Sequence, residues 1–177
     1  MFPGRIDAPA AAAFVGLLSL FNMAGRFFWA STSDVIGRKN TYFIFFALGI
    51  LLYALVPTTA HMGSVALFVL CYGIILSMYG GGFATIPAYL RDVFGVQYVG
   101  AIHGRLLTAW SVAGVLGPVL VNYIRQYQID SGVAKADAYT VTMYIMAGLL
   151  FVGFLCNLAM KAVNERHYLR AQGQPAQ

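Results

Sequence analysis

Arg26 is the residue with the clearest chemical potential, because it lies inside an apolar run long enough to cross a membrane. A guanidinium near the middle of a membrane helix costs about 2.5–3.5 kcal/mol on insertion scales, so such residues usually face an aqueous path. At helical spacing, the small and polar side chains that share its face are Ser19, Asn22, Ala30 and Ser33, with Trp29 alongside. This stripe predicts that Arg26 and Asn22 bind an anion, although an arginine that snorkels to the cytoplasmic head groups fits the same position.

A compact charged turn, Asp34-Val35-Ile36-Gly37-Arg38-Lys39, follows the run that holds Arg26. Gly37 permits a tight reversal of the chain, and Arg38 and Lys39 are typical of the cytoplasmic flank of a membrane helix. Asp34 can pair with a cation or with a helix N-terminus. We therefore expect these four residues to form a hinge-like turn between two membrane helices.

The composition is that of a membrane protein. Of the 177 residues, 60% are hydrophobic and 10% are charged, whereas soluble domains carry about 25% charged residues. Five uncharged runs have the length that a helix needs to cross a hydrocarbon core of about 30 Å, and they do not alternate in polarity as transmembrane strands do. The sequence therefore predicts an all-α polytopic membrane protein, a single domain over residues 1–177. The expected helices are 10–32, 41–57, 64–90, 101–123 and 139–161.

The basic residues give the orientation of these helices. Seven would lie on one side of the membrane: Arg38, Lys39, Arg91, Arg105, Lys161, Arg166 and Arg170. Three would lie on the other: Arg5, Arg125 and Lys135. The positive-inside bias places the charged turn and the C-terminal tail, 162–177, in the cytoplasm, with the chain in the plasma or inner membrane of the cell. The net charge of +5 thus indicates topology and no nucleic-acid partner.

Residue types that carry catalysis are sparse. The six acidic residues are almost all in predicted loops, no His/Cys cluster has metal-ligand spacing, and no nucleophile lies beside a candidate base. The glycine run 80–82 lacks the Lys-Ser/Thr of a phosphate-binding loop. It suits a helix that a neighbour approaches closely, or one that bends beside a cavity. No enzyme activity, metal or cofactor is predicted.

Several residues of the third and fourth spans are weaker candidates. Tyr79 with Phe83 can form the floor of a small pocket, or simply pack beside the glycine run. His103 shares a helix face with Trp110, whereas Arg105 lies on another face. His103 and Arg105 are candidate proton-relay residues, but a histidine at the cytoplasmic edge of a span can also be purely interfacial.

The charged turn resembles the loop signature of the major facilitator superfamily, G-x-x-x-D-x-x-G-R-[KR]. Asp34, Gly37, Arg38 and Lys39 match it, and Ala30 replaces the leading glycine. The superfamily carries this signature between helices 2 and 3 and often again between helices 8 and 9. Because only three predicted spans follow the turn, the resemblance implies helices 8 to 12, an incomplete C-terminal bundle of a 12-helix transporter.

Five spans with a cytoplasmic C-terminus would also place the N-terminus outside without an export signal. We therefore expect the chain to be a fragment that lacks at least one upstream helix. The N-terminal helices of the same transporter are then expected partners, together with the lipid bilayer.

A finer resemblance, over about residues 10–120, is to the oxalate/formate antiporter family, which carries small carboxylates. The matching segments are Leu20–Arg26, Phe28-Trp29, Ser33-Asp34, Ile36–Arg38, Tyr79–Phe83, Pro87, Asp92–Gly95 and Gly104. The resemblance implies that Arg26 contacts the substrate carboxylate and that Tyr79 is an aromatic residue of the site. Members that carry dicarboxylates have a lysine where Trp110 stands here, so Trp110 is a further site candidate. One fixed cation favours a monocarboxylate, because an unpaired second carboxylate would be costly to desolvate.

These observations predict the transport of a small organic anion, preferably a monocarboxylate, by alternating access, as an antiporter or coupled to protons. Two alternatives remain open. The chain can be a truncated, non-transporting membrane fragment or interaction scaffold, or it can belong to an exchanger of oxalate-type dicarboxylates.

Overall fold

The computed structural model describes residues 8–134 and 137–163, which form five α-helices. These are α1 (Ala8–Ile36), α2 (Arg38–His61), α3 (Val65–Phe94), α4 (Val99–Asp130) and α5 (Thr140–Ala159). All five are long and apolar enough to cross a membrane, and the described ranges contain no strand. The predicted all-α polytopic class is confirmed. Residues 164–177 of the expected cytoplasmic tail, and Arg5 and Lys135 of the charge count, lie outside the described residues.

The helices extend past most of the expected ends, because each of the first four continues until a glycine with positive φ can reverse the chain, whereas α5 ends at Ala159, short of the expected 161. These glycines are Gly37, Gly63, Gly95 and Gly132, with φ between 66° and 86°. The span expected at 41–57 runs on to His61 with Pro57 inside it, and the span expected at 101–123 runs on to Asp130. Hydropathy detects only the apolar part of each helix, whereas backbone hydrogen bonding continues into the polar flank.

Helices α1 and α3 pack against each other with almost no clearance. A Cβ atom on Gly25 would lie 2.1 Å from the carbonyl oxygen of Ser77, and one on Gly81 would lie 2.4 Å from Cβ of Trp29. Close approach of this kind is typical of small residues between membrane helices. The glycine run therefore serves close packing, and α3 stays helical through it.

The buried core lies between α2 and α3. Its members are Phe45, Leu52, Val56, Cys71, Ile75 and Met78. Helix α5 packs on the other side of α2, where a Cβ atom on Gly153 would lie 2.6 Å from the ring of Phe46. Helix α4 is held far more loosely: none of its 32 residues is buried, and Cβ atoms on Gly104, Gly114 and Gly117 would meet nothing within 4 Å.

Candidate functional site

Arg26 has an exposed guanidinium on α1, and no hydrogen bond or ion pair involves it within residues 8–134 and 137–163. The residues one turn away on either side, Asn22 and Trp29, both contact α3. The backbone oxygen of Asn22 packs on Gly80, and the indole Nε1 of Trp29 donates to Oγ of Ser77 at 3.2 Å. The backbone of α1 on both sides of Arg26 is thereby held against α3, while the Arg26 side chain is exposed.

Tyr79 and Trp110, predicted from different spans, meet in the structure. The indole Nε1 of Trp110 donates a hydrogen bond to Oη of Tyr79 at 3.2 Å. The ring of Phe83 lies edge-on to that of Trp110 at 5.1 Å and tilted to that of Tyr79 at 6.2 Å. Because the Tyr79 oxygen accepts this hydrogen bond, its own hydrogen remains available to donate to an acceptor.

A cavity of about 350 Å³ lies between α2, α3 and α4. Its lining comprises Tyr42, Met78, Tyr79, Gly82, Phe83, Ile86, His103, Leu106, Leu107, Ala109 and Trp110. The structure therefore brings Tyr79, Trp110 and His103 together at one cavity. Arg26 and Asn22 are not in its lining, and they lie on the α1 side of α3.

The two candidate proton-relay residues are separated. His103 lines the cavity, and its Nδ1 is buried without a hydrogen-bond partner among the described residues. Arg105 is exposed and is not part of the lining. Only His103 is thus placed where it can exchange a proton with a molecule in the cavity.

The charged turn ties together the helix ends on one side of the bundle. The guanidinium of Arg38 donates to Asp34 and to the buried hydroxyl of Ser33, and its Nε lies 4.0 Å from Oδ2 of Asp92 at the end of α3. Nζ of Lys39 donates to the carbonyl oxygens that end α5, Leu158 at 3.1 Å and Met160 at 2.7 Å. The four motif residues therefore connect α1, α2, α3 and α5.

Sequence reasoning missed a second connection beside this turn. Asn157 is 5% exposed, and its Oδ1 accepts a hydrogen bond from the hydroxyl of Tyr89 at 2.9 Å. Its Nδ2 donates to the backbone oxygen of Lys39 at 3.3 Å. The available signal was a single amide within the apolar last span.

Tyr42, whose hydroxyl donates to the carbonyl oxygen of Gly82 at 2.7 Å, was also missed, because it lies in a continuous apolar run.

Comparison with known proteins identifies a family and a relative of this sequence. The sequence model of the family described as Major Facilitator Superfamily matches residues 5–176. An oxalate:formate antiporter from Oxalobacter formigenes is 35% identical over 103 residues, which are 58% of this chain. The aligned part is 24% of the antiporter, so the chain spans about a quarter of that relative's length. No solved structure matches the chain.

Proposed function

The chain belongs to the Major Facilitator Superfamily, and from this premise we propose that it is part of a transporter for a small organic anion, preferably a monocarboxylate. The superfamily expected from the charged turn is confirmed, and so is the resemblance to the oxalate/formate antiporter family. Both comparisons point to a membrane transporter and away from an enzyme. The observation that carries the proposal is the exposed guanidinium of Arg26, which makes no hydrogen bond or ion pair within the described ranges 8–134 and 137–163, on a helix packed closely against α3.

Arg26 would bind the substrate carboxylate. A guanidinium can donate two parallel hydrogen bonds to a carboxylate, and the charge-assisted pair is stronger than neutral hydrogen bonds. Asn22 lies one turn away on the same helix and can donate from its side-chain amide. The residues on either side of Arg26 fix its backbone against α3, which limits the entropy lost when the substrate binds.

The neutral side chain of Trp110 favours a substrate with a single negative charge. It stands where dicarboxylate carriers of the related family have a lysine, and its Nε1 is a neutral donor already bonded to Tyr79. A dicarboxylate would bring a second charge to a cavity whose lining, within the described part of the chain, contains no lysine or arginine, at a large desolvation cost. Exchange of oxalate is therefore the less favoured alternative.

Transport would proceed by alternating access between two bundles, by antiport or coupled to protons. In this proposal the five helices are helices 8 to 12, and the remaining helices belong to the part of the transporter that this chain does not cover. His103 would relay the proton in the coupled case, with Arg105, two residues further along α4, as the second candidate. The turn Asp34–Lys39 would face the cytoplasm with the C-terminus, in the cell membrane, and would hold and release that side during switching. The alternative is a non-transporting fragment or scaffold.

The test is uptake of radiolabelled formate and acetate by cells that express the gene carrying this chain. Arg26→Gln should lower uptake at least about tenfold, because a neutral amide cannot balance the carboxylate charge. Arg125→Gln is the matched control, since it removes an arginine that stacks on Tyr139 at 5.6 Å, at the other end of the bundle. Unchanged uptake in Arg26→Gln would remove the binding role, and absence of uptake from the unaltered gene would favour the scaffold.

A further inference from the structure

We propose that the cavity between α2, α3 and α4 holds the apolar body of the substrate, so that the preferred substrates are monocarboxylates with a branched or aromatic body. This inference rests on the proposed function and narrows its substrate class. It concerns acids larger than formate or oxalate.

The size of the cavity is the first support. Its volume is about 350 Å³, whereas an apolar cavity of about 150 Å³ is enough to bind benzene. Ordinary small-molecule pockets begin at about 300 Å³. Formate has a single carbon and oxalate has no apolar body, so either would leave most of this lining without contacts. A ring-sized or branched body would contact much more of it.

The chemistry of the lining is the second support. The walls are mainly aromatic and aliphatic, with Phe83 and Leu107 among them. The hydroxyl of Tyr79 has a hydrogen left to donate, and Nδ1 of His103 is buried without a partner in the described part of the chain. Such a lining favours an apolar body and disfavours a second ionised group.

The position of the cavity relative to Arg26 is the third support. Tyr79 lines the cavity, and the next residue, Gly80, touches the backbone of Asn22 one turn from Arg26. Arg26 lies ten residues before the end of α1 and Trp110 eleven residues after the start of α4, about 15 and 17 Å along each helix. The two residues therefore lie at a similar depth, with α3 between them. Arg26, Tyr79 and Trp110 all have exposed side chains, so in this proposal the acid lies across the exposed side of α3, with its carboxylate at Arg26 and its apolar body beside Tyr79 and Trp110.

The two tryptophans of the chain make a direct test possible. Trp29→Phe leaves Trp110 as the single fluorescent indole, at the wall of the cavity. The purified variant in lipid nanodiscs is titrated with benzoate, 3-methylbutanoate, formate and oxalate, with benzamide as the neutral counterpart of benzoate. We expect benzoate and 3-methylbutanoate to change Trp110 emission saturably, at concentrations at least about tenfold below formate, because each methylene in an apolar pocket contributes about tenfold or more. The unaltered chain should give the same order of affinities.

A pair of cavity variants tests the location. Ala109 lines the cavity, whereas Ala113, one turn along α4, does not. Ala109→Leu should weaken benzoate binding at least about tenfold by occupying the space, and Ala113→Leu should leave it unchanged. If Ala109→Leu does not yield a folded protein, Phe83→Trp reduces the same space from α3 and should have the same effect.

Each outcome has a consequence. Binding of formate or oxalate in preference to the larger acids would overturn this inference and leave the proposed function intact. Benzamide binding as tightly as benzoate, together with no effect of Arg26→Gln on benzoate, would show an apolar pocket and overturn the anion-binding role of Arg26. No response to any acid, or equal effects of the two alanine variants, would overturn the inference. The proposed function would then be tested by the uptake assay alone.

Discussion

The carbonyl oxygen of Asn22 lies so close to Gly80 that a Cβ atom on this glycine would come within 2.1 Å of it. Two backbones therefore touch directly at the level of the candidate site. Asn22 and Arg26 lie on the α1 side of this contact, and Tyr79, the residue before Gly80, lies on the α3 side. The positions of these three side chains therefore depend on residue 80 being a glycine, which has no Cβ atom.

Gly80→Ala should therefore destabilise the protein, whereas Gly82→Ala should not. The new methyl group in Gly80→Ala would overlap a backbone atom that cannot rotate away, and such overpacking typically costs about 1–3 kcal/mol. A Cβ atom on Gly82 would have its nearest neighbour, the ring of Phe45, at 3.8 Å, an ordinary contact. Thermal unfolding in detergent measures the difference. Equal melting temperatures for the two variants would contradict the contact between α1 and α3.

Lys39→Met should loosen the end of α5. The ammonium of Lys39 donates hydrogen bonds to the carbonyl oxygens of Leu158 and Met160. A cation at a helix C-terminus stabilises the helix by about 0.3–1 kcal/mol. Hydrogen exchange of the last turn of α5 should become faster, while the middle of the helix is unaffected. Lys161→Met is the control, since it removes the neighbouring exposed lysine beyond the helix end. Similar exchange in both variants would show that general charge loss is responsible.

Asn157→Leu should cost about 1–3 kcal/mol, because it removes the hydrogen-bond partner of the Tyr89 hydroxyl in a buried position. Tyr89→Phe removes the hydroxyl, and the double variant then lacks both partners. If the hydrogen bond operates as the structure shows, the double variant is more stable than the sum of the single changes predicts. Chemical denaturation of the four proteins gives the coupling energy. Strict additivity would mean that the pair does not interact.

Trp110→Lys should shift the transported class toward dicarboxylates. The change adds a cation where the resemblance to the oxalate/formate antiporter family implies one for dicarboxylate carriers, and it removes the donor to Tyr79. Oxalate should then inhibit uptake of labelled acetate at least about tenfold more strongly than in the unaltered protein. Trp110→Phe removes the same hydrogen bond without adding charge, and should leave the weak effect of oxalate unchanged. A shift in both variants would assign the selectivity to the indole and not to charge.

The number of helices was predictable from the sequence because each apolar run is uninterrupted and of membrane-spanning length. The helix ends were not, because a glycine with positive φ follows each of the first four helices, and Pro57 lies inside α2 instead of ending it. The charged turn could be identified by spacing, but its partners could not. Asp92 and the end of α5 reach Arg38 and Lys39 only through tertiary packing.

The candidate site was predictable in part. Arg26 and Tyr79 stand out by charge and by the glycines that follow Tyr79. Trp110 became a candidate only through the resemblance, and its hydrogen bond to Tyr79 was not predicted. Tyr42 and Asn157 carry no periodic signal, since each is one polar group in a long apolar run. The division of the site by α3, with Arg26 on one side and the cavity on the other, is a property of packing that no local pattern encodes.

The loose attachment of α4 has a mechanical consequence. Helices α1 and α3 interlock through backbone contacts, so Arg26 and Tyr79 keep a constant separation whenever this part of the chain deforms. Trp110 belongs to α4, which has no buried residue along its length, and it contacts α3 through Tyr79 and Phe83. We therefore expect α4 to move relative to α1 and α3 more readily than these two helices move relative to each other. The distance from Arg26 to Trp110 should accordingly vary more than the distance from Arg26 to Tyr79. Spectroscopic labels on α1, α3 and α4 would register broad distance distributions only for pairs that include α4.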